Sequence, residues 1–502
     1  MANIEIIVFI GYFVVLFFVA AAFFFRGQDN EKDYFLGGRS MGPWVTAMSA
    51  QASDMSAWLL MGLPGSILAF GFGQIWIGIG LMIGTAANWI FCAKRLRKLS
   101  KAANDSITVP QYLTNRFASS SRTLQVVSAL IFLVAFTIYV ASAFVAGASV
   151  FTSLFPKVPE MTAMIVFALI IIGYTFLGGF KAVCWTDFFQ GILMLIALLA
   201  IPIIVTLTQD LDTSLLSQVY TYTDTTGEVV RCDFGTGLFD ASWKDILSGF
   251  GWGLGYFGMP HIIVRFMSIE KPSQIKKSAT IAIIWVVLSL GAACLMAYQA
   301  RMIVGEELLT TGSQKLVFIV MARKFFPAAI SGLLLAAIMA ASVSTADSQL
   351  LVASSSFTAD LYQPLFRKNA SDKELVWVGR IAVVVIAVIA FIIASSKGAG
   401  AQAIMNLVEN AWGVFGASFA PTILLSLFWR RFNYQGACAG IIAGAVVDIL
   451  WYNLLSSTGV YEIVPGFAAG IIAAVVVTLL TKEPPREAVE MFDAAMQAGD
   501  DE

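Results

Sequence analysis

Long runs of apolar residues recur along the whole chain, separated by short stretches rich in charged residues, Gly, Pro and Asn. A helix needs about 20 largely apolar residues to cross a hydrocarbon layer of roughly 30 Å, and only helices or closed barrels satisfy every backbone hydrogen bond in lipid. Runs this long and continuous are helical. The pattern therefore predicts thirteen membrane-spanning helices, over residues 5–25, 44–70, 74–93, 124–153, 161–180, 186–208, 244–266, 278–300, 326–360, 378–396, 403–429, 434–455 and 462–481.

Three parts of this pattern carry further expectations. The ninth segment, 326–360, is too long for one simple span, which predicts an exposed cytoplasmic turn or a kink within it. The first run, 6–25, has no preceding basic region and no small-residue cleavage site, so we interpret it as a retained span rather than a signal peptide. Residues 482–502 are few and end in the acidic run 500–502, which predicts a solvated, frayed tail.

Composition agrees with a membrane protein and excludes several other classes. Of the 502 residues, 58% are apolar and only 13% are charged, whereas soluble domains carry roughly 25% charged residues. The mean hydropathy is +0.81. A net charge of -1 leaves no basic excess for binding nucleic acid. The five Cys residues form no CxxC pair and the chain has one His, which argues against a disulfide framework, a zinc site and metal catalysis.

The basic residues are distributed unevenly between alternate loops, which predicts the orientation. Lys and Arg concentrate on the cytoplasmic side of membrane proteins. With the N-terminus outside, most of the 31 Lys and Arg residues fall on that side, including the run from Lys94 to Lys101 and Arg265. The loop 209–243 holds acidic residues and a single basic one, Arg231, and is expected to be external. An odd number of spans then places the C-terminus in the cytoplasm.

Polar residues and helix breakers interrupt three of the predicted spans. The second carries Asp54 among serines, the seventh reads GFGWGLGYFGMPH, and the ninth carries Ser344, Thr345 and Asp347. A charge at membrane depth costs about 2.5 to 3.5 kcal/mol on insertion scales. A helix broken at the midplane presents amide groups to an anion and carbonyls to a cation, and matching breaks in two halves indicate an inverted-repeat transporter. We predict a secondary transporter, with a channel, a receptor or a membrane enzyme as alternatives.

Each interruption also has a purely structural interpretation. The glycines of the seventh span permit close helix packing, and Asp54 has neighbouring serines to bond. The Ser-Thr pair of the ninth span can bond carbonyls one turn back, and Asp347 fits a helix cap or an interfacial position. Glu409 and Asp448 lie near predicted span ends, where we expect them to be exposed to lipid headgroups.

Four aromatic residues lie within spans rather than in the interfacial belts where Trp and Tyr usually gather. They are Trp58, Tyr139, Trp252 and Tyr256. Trp252 and Tyr256 are four positions apart and share one face of a continuous helix. Their placement favours the lining of a cavity, with packing between helices as the alternative.

Eight motifs resemble those of the sodium:solute symporter family. GGFKAVCWTD and PQYLTNRF are shared broadly in that family, whereas SDMSAWLLMGLPG with GWGLGYFGMPH is similar to its proline-transporting branch. The resemblance covers nearly the whole chain: LGGRSMGP at 36–43, SAQASDMSAWLLMGLPG at 49–65, TVPQYLTNRF at 108–117, FTIYVASAFVAGA at 136–148, GGFKAVCWTD at 178–187, GWGLGYFGMPHIIVRFM at 251–267, STADSQLLVASS at 344–355 and KELVWVGR at 373–380.

The resemblance implies an all-α integral membrane fold with about thirteen transmembrane helices. This fold is LeuT-like, with two inverted five-helix repeats, one helix before them and two after. On this chain the implied divisions are a first helix and cytoplasmic loop (1–43), repeat 1 (44–208), the external loop (209–243), repeat 2 (244–429), the last two helices (430–481) and a cytoplasmic tail (482–502).

The resemblance also implies which residues bind the ion and the solute. Asp54 matches an essential carboxylate that supports the cation site electrostatically. Arg39, Asp187 and Asp347 are assigned to gating or coupling, although Arg39 also fits ordinary positive flanking of a span. Asp187 matches a second-sodium position of some relatives, and the acid at Asp347 departs from the proline branch. The implied sodium ligands are the carbonyls of Ala52, Met55 and Ala341 with the hydroxyls of Ser344 and Thr345, and the implied solute contacts are Ser56, Trp58, Tyr139, Trp252, Tyr256 and Pro260.

The implied function is import of L-proline coupled to Na+ by alternating access. The expected location is the bacterial cytoplasmic (inner) membrane, within the lipid bilayer. No enzyme activity, no nucleic acid and no obligate protein partner are expected. The alternatives are the same machinery acting on pantothenate, a sugar or another amino acid, a transporter-like proline sensor, and a substrate-gated channel.

Overall fold

The structure is a computed structural model that describes residues 2–25, 30–224, 227–397 and 401–500. Asp501 and Glu502, which belong to the predicted tail, lie outside the described residues. The first half of the chain contains α1 (Ala2–Phe25), α2 (Glu31–Leu36), α3 (Pro43–Met55), α4 (Gly62–Phe70), α5 (Ile75–Ala87), α6 (Ala93–Ala102), α7 (Val109–Arg116), α8 (Thr123–Leu154) and α9 (Glu160–Thr208), followed by β1 (Tyr220–Thr223) and β2 (Val229–Cys232). The second half contains α10 (Trp243–Leu254), α11 (Pro260–Ser268), α12 (Ile275–Leu309), α13 (Val317–Phe325), α14 (Ala328–Ser355), α15 (Asp372–Lys397), α16 (Ala401–Phe428), α17 (Tyr434–Leu454), α18 (Ile463–Leu480) and α19 (Arg486–Gln497).

The number of membrane crossings agrees with the thirteen predicted spans. Within the described ranges, ten helices are long and apolar enough to cross a membrane, and α9 is one of them. In α9, Gly179 has φ 63°, and the hydroxyls of Tyr174 and Thr186 are hydrogen-bonded although the residues are twelve positions apart. Twelve residues of a straight helix span about 18 Å, so α9 reverses at Gly179 and forms two crossings. The two broken helices, α3 with α4 and α10 with α11, complete the thirteen.

Both predicted helix breaks are present, and local backbone chemistry explains them. Helix α3 ends at Ser56, whose φ of 49° lies in the left-handed region that residues other than Gly rarely adopt. Helix α11 begins at Pro260, whose missing N–H is tolerated only in the first turn of a helix. Each break therefore leaves backbone groups without helical partners near the middle of a span.

The glycines of the seventh span permit the close helix packing considered above. Helices α5 and α10 meet at glycines on both sides, and a Cβ on Gly84 would lie 2.3 Å from the carbonyl oxygen of Gly253. A Cβ on Gly80 would lie 2.0 Å from the carbonyl oxygen of Gly249. These glycines let α10, the first half of the second broken helix, approach α5, the helix that follows the first broken helix.

The expectation of an exposed turn in segment 326–360 is wrong. Helix α14 continues without interruption to Ser355 and passes into a π-helical segment, Ser356–Phe366. Within that segment Asp360 is fully buried, because its Oδ1 accepts hydrogen bonds from Thr108 Oγ1 (3.0 Å) and Gln125 Nε2 (2.8 Å). Neighbouring elements thus satisfy the polar residues that composition alone assigned to water.

The expectation of a solvated, frayed tail is also wrong. Helix α19 buries the ring of Phe492, which lies 4.5 Å beneath the guanidinium carbon of Arg116. Beyond the helix, Asp500 pairs with Lys94 (2.6 Å) and Lys98 (2.9 Å) on α6. Residues of the tail form a packed helix because α19 is amphipathic and helices α6 and α7 cover its apolar side.

The β1–β2 hairpin and the loop around it lie at one end of the helices, which we call the loop side. Helix α19 and the ends of α6 and α11 lie at the opposite end, which we call the tail side. The limits of the two inverted repeats at 44–208 and 244–429 stay a prediction.

Candidate functional site

Oxygen atoms converge where the break after α3 meets the middle of α14. The hydroxyl of Ser344 donates to the carbonyl of Ala52 (2.8 Å) and to the carbonyl of Ala341 (3.2 Å). Thr345 is 1% exposed, and its Oγ1 has no hydrogen-bond partner among the described residues. Met55 is the last residue of α3, so its carbonyl has no helical partner further along the chain. The structure therefore brings the predicted sodium ligands to the same junction of α3 and α14.

A small cavity lies next to this junction. Its volume in this conformation is about 10 Å³, the space of about one water molecule, so the surrounding side chains nearly fill it. Five of the six predicted solute contacts line it. Pro260 does not line it and instead starts α11, where its ring fixes the first helical turn. The lining residues are Asp54, Met55, Ser56, Trp58, Leu81, Tyr139, Trp252, Tyr256, Val408 and Trp412.

Asp54 connects the two broken helices. Its Oδ2 accepts a 2.5 Å hydrogen bond from the hydroxyl of Tyr256, and the residue is 4% exposed. The alternative that Asp54 bonds its neighbouring serines does not hold, because Ser49 donates to Asp187 and Ser53 donates to the carbonyl of Ala50. Asp54 therefore lies between the oxygen cluster and the cavity, with its carboxylate directed across to the second break.

Three indole rings form one wall of the cavity. Trp58 and Trp252 are stacked, with ring centroids 5.6 Å apart, and Trp412 Nε1 donates to the carbonyl of Trp252 (2.8 Å). Tyr256 lies edge-on to Trp412 at 5.2 Å. The aromatic residues thus line the cavity and also pack between helices, so the two interpretations of their role hold together.

Sequence reasoning missed three residues of this lining. Trp412 carries a polar indole N–H inside a predicted span, and that signal identifies it as a residue in need of a partner. Leu81 and Val408 carry no such signal, because an apolar side chain on a cavity wall has the same chemistry as one that faces lipid.

Arg39 is buried on the tail side, where its guanidinium holds several segments together. Its Nε donates to Asp105 (2.7 Å), its Nη1 to the carbonyl of Met267 at the end of α11 (2.5 Å), and its Nη2 to the carbonyl of Ser106 (2.8 Å). A solvated flanking charge makes no such set of contacts. Arg39 therefore ties the tail-side half of the second broken helix to the loop after α6.

Replacing Asp105 with Asn is expected to loosen this tie by about 1 kcal/mol, the usual limit for a partly exposed ion pair. Partial burial raises the pKa of Asp105, but hydrogen bonds from Lys32 and Arg39 outweigh it and hold the pKa below its ordinary value. This stabilisation is therefore present at neutral pH and is lost as the pH falls through the lowered pKa. Faster amide hydrogen exchange in α11 of the variant is the measurement.

Glu374→Gln is the control, because Glu374 pairs with Arg367 on the same side but does not contact α11. If both variants and the unaltered protein exchanged at equal rates, this would contradict the conclusion that the Arg39 contacts hold α11 against the loop after α6.

A second buried charge cluster lies between α3, α9, α11 and α14. Arg265 Nη2 lies 3.2 Å from Asp187 Oδ2, which also accepts from Ser49 (2.7 Å), and Arg265 donates to Ser348. Asp347 is fully buried in the middle of α14, so the cap and interfacial interpretations are wrong for it. The sequence analysis placed Arg265 among the cytoplasmic flanking charges. Only the fold shows that the carboxylate of Asp187 lies beside it.

Two acids expected at lipid headgroups also lie elsewhere. Asp448 is 2% exposed, because helices α16 and α18 cover it. Glu409 is half-buried and lines a larger cavity that opens on the loop side. The headgroup expectation is therefore wrong for Asp448.

Two helices broken at matching places, with an oxygen cluster and a cavity between them, form the arrangement that is typical of secondary transporters. The chain belongs to the sodium:solute symporter family, whose profile matches residues 34–444. It is a multi-pass membrane protein and a sodium-coupled symporter, not an enzyme.

Several curated bacterial proteins are similar over almost their full length. The high-affinity proline transporter PutP of Bacillus subtilis is 42% identical over 94% of this chain and 97% of its own. The sodium/proline symporter of Haemophilus influenzae is 43% identical over 94% and 93%. The osmoregulated proline transporter OpuE of Bacillus subtilis is 39% identical over 98% of each chain.

Solved structures show the same fold at low sequence identity. A Na+-coupled sialic acid symporter in a substrate-bound outward-open state aligns with a TM-score of 0.73 at 19% identity, over 96% of this chain and 98% of that one. Mhp1, a nucleobase-cation-symport-1 family transporter in a closed conformation, aligns with a TM-score of 0.52 at 14% identity, over 92% and 98%. These likenesses confirm the predicted fold class.

Proposed function

We propose that this protein imports L-proline together with Na+ by alternating access across the bacterial cytoplasmic membrane. The observation that carries the proposal is the aromatic-lined cavity between the two broken helices, which shares Met55 and Asp54 with the junction of α3 and α14. The relatives named as proline transporters, at 39% to 43% identity, support the choice of solute.

The junction of α3 and α14 suits a sodium ion. A hard cation takes oxygen ligands, and carbonyls and hydroxyls are the atoms available there. The buried hydroxyl of Thr345 has no other partner among the described residues, which fits a ligand position. Ser344 now donates to Ala52 and Ala341, and a bound ion would take the place of its proton as the positive partner of those carbonyls.

The cavity offers complementary surfaces to each part of zwitterionic proline. Backbone amides freed at the two breaks suit the carboxylate. The faces of Trp58 and Trp252 suit the ammonium group, and Leu81 with Val408 provides apolar contact for the ring. Asp54 accepts a hydrogen bond from Tyr256 that links the two breaks, and we assign its negative charge to supporting the ion site.

Sodium and proline stabilise the same arrangement of helices. An ion between α3 and α14 fixes the C-terminal end of α3, and that end leads directly into Ser56 and Trp58 of the cavity. Such coupling is reciprocal, so proline raises the affinity for sodium as much as sodium raises the affinity for proline. One charge moving across about 100 mV supplies about 2.3 kcal/mol, and a tenfold gradient adds about 1.4 kcal/mol, which together support roughly 500-fold accumulation.

The test is uptake of labelled L-proline into proteoliposomes that contain the purified protein. We expect uphill uptake only with an inward sodium gradient. In a panel of unlabelled competitors that contains proline, pantothenate, a sugar and other amino acids, we expect only proline to reduce the uptake. If another compound of the panel competed more strongly than proline, that compound and not proline would be the transported solute. Binding without uptake would favour a sensor, and flux that never runs uphill would favour a channel.

The proposed orientation places the loop side outside and the tail side in the cytoplasm, as the distribution of basic residues predicts. Labelling of a cysteine introduced at exposed Thr221 of the hairpin by a membrane-impermeant reagent on intact cells measures this directly.

A further inference from the structure

Three acidic side chains lie together on the loop side, outside the residues used above. Glu409 is on α16, Asp448 is on α17 and Glu462 directly precedes α18. Asp448 and Glu462 are 2% and 7% exposed. The hydroxyl of Tyr461, the residue before Glu462, donates to the carbonyl of Glu409 (2.9 Å), which places the segment before α18 against α16.

Two of these carboxylates face each other without a partner. Asp448 Oδ1 and Glu462 Oε1 are buried and have no hydrogen-bond partner within the described part of the chain. A Cβ on Gly413 would lie 2.9 Å from Asp448 Oδ1 and 3.4 Å from Glu462 Oε1. Because Gly413 has no side chain, both oxygens are directed at the same unfilled point.

This arrangement calls for a positive partner. Buried carboxylates are retained when a cation or a proton compensates them. The described residues include no Lys, Arg or His paired with either group.

Access from the loop side is open. A cavity of about 280 Å³, which we call the vestibule, is lined by Gln74, Ser248, Trp252, Glu409 and Glu462 among others, whereas Asp448 is not part of this lining. Trp252 also lines the inner cavity, so its indole separates the two spaces. A cation held near Glu462 therefore lies on the route toward the inner site.

We propose that Asp448 and Glu462 bind a compact monovalent cation in the wall of the vestibule, before it passes Trp252. The shared chemistry is a small positive charge, supplied either by a sodium ion or by the ammonium group of the solute. The inference rests on the sodium-coupled transport proposed above.

The test compares purified full-length Asp448→Asn and Glu462→Gln with Asp233→Asn, in equilibrium binding of radioactive sodium and of labelled proline. Both site variants keep the shape of the side chain and remove its charge. Asp233 is an exposed acid on the same side, paired with Arg231, and serves as the matched control. Gly413→Ala is a further variant, because its methyl group occupies the point that both carboxylates face and keeps both of their charges.

If sodium is the cation, both site variants and Gly413→Ala bind one equivalent less sodium per chain than Asp233→Asn. If the solute is the cation, sodium binding is kept and the apparent Kd for proline rises about tenfold, which corresponds to about 1.4 kcal/mol. Unchanged binding of both, or a change only in the pH dependence, overturns the proposal. Sodium-dependent uptake by the unaltered protein survives that outcome, whereas its absence would refute the proposed function itself.

Discussion

Thr345→Ala is expected to raise the sodium concentration for half-maximal proline uptake about 10- to 100-fold, the range for one lost contact to a charged group of about 1.5 to 3 kcal/mol. The hydroxyl of Thr345 is buried and makes no hydrogen bond among the described residues. Its removal therefore costs no protein contact, and the defect appears in ion binding rather than in folding. The measurement is initial uptake into proteoliposomes as a function of sodium concentration.

Ser342→Ala is the matched control on the same helix. Ser342 is equally buried, but its hydroxyl donates to the carbonyl of Ile338 one turn back. We expect its sodium dependence to match that of the unaltered protein. A shift of equal size in both variants would show a general effect of α14 and would contradict a ligand role for Thr345.

Asp54→Asn is expected to reduce proline uptake by about 100-fold or more, because a charge next to a desolvated cation contributes more than a neutral hydrogen bond. Asn keeps the size of the side chain and still accepts the hydrogen bond from Tyr256. The variant thus removes the charge and leaves the link between the two broken helices intact. Sodium binding without proline, measured on purified protein, is expected to fall together with uptake.

Tyr256→Phe separates the charge of Asp54 from its hydrogen bond. It removes the 2.5 Å contact to Asp54 Oδ2 while the carboxylate stays beside the ion site. We expect a smaller loss of uptake than in Asp54→Asn, with sodium binding retained. If Tyr256→Phe were the more damaging change, Asp54 would act by positioning Tyr256 rather than by its charge.

The elements that sequence reasoning predicted correctly depend on local chemistry. Apolar length determines the spans, and Pro260 with its neighbouring glycines ends α10 before α11 begins. Asp54 and Thr345 were identifiable because a polar group inside an apolar run needs a partner or a ligand. Each of these signals acts within a few residues of the position it affects.

The errors concern groups whose surroundings come from distant segments. Arg265 was expected to be a flanking charge, but the fold places Asp187 of α9 beside it. Asp448 was expected at the lipid headgroups, but helices α16 and α18 cover it. The tail was expected to be solvated, but α6 and α7 cover the apolar side of α19. An exposed turn was expected within 326–360, but the helix continues through that segment.

The sequence by itself determined that this chain spans the membrane, where its helices break and which polar groups lie at membrane depth. Those properties follow from transfer free energy and backbone chemistry, which act residue by residue. The tertiary structure alone decided which breaks meet, which oxygens converge on Ser344, and that Trp412 completes the cavity. It also decided that Asp448 and Glu462 face each other across Gly413. Such contacts join residues far apart in the chain, and only packing in three dimensions determines their distances.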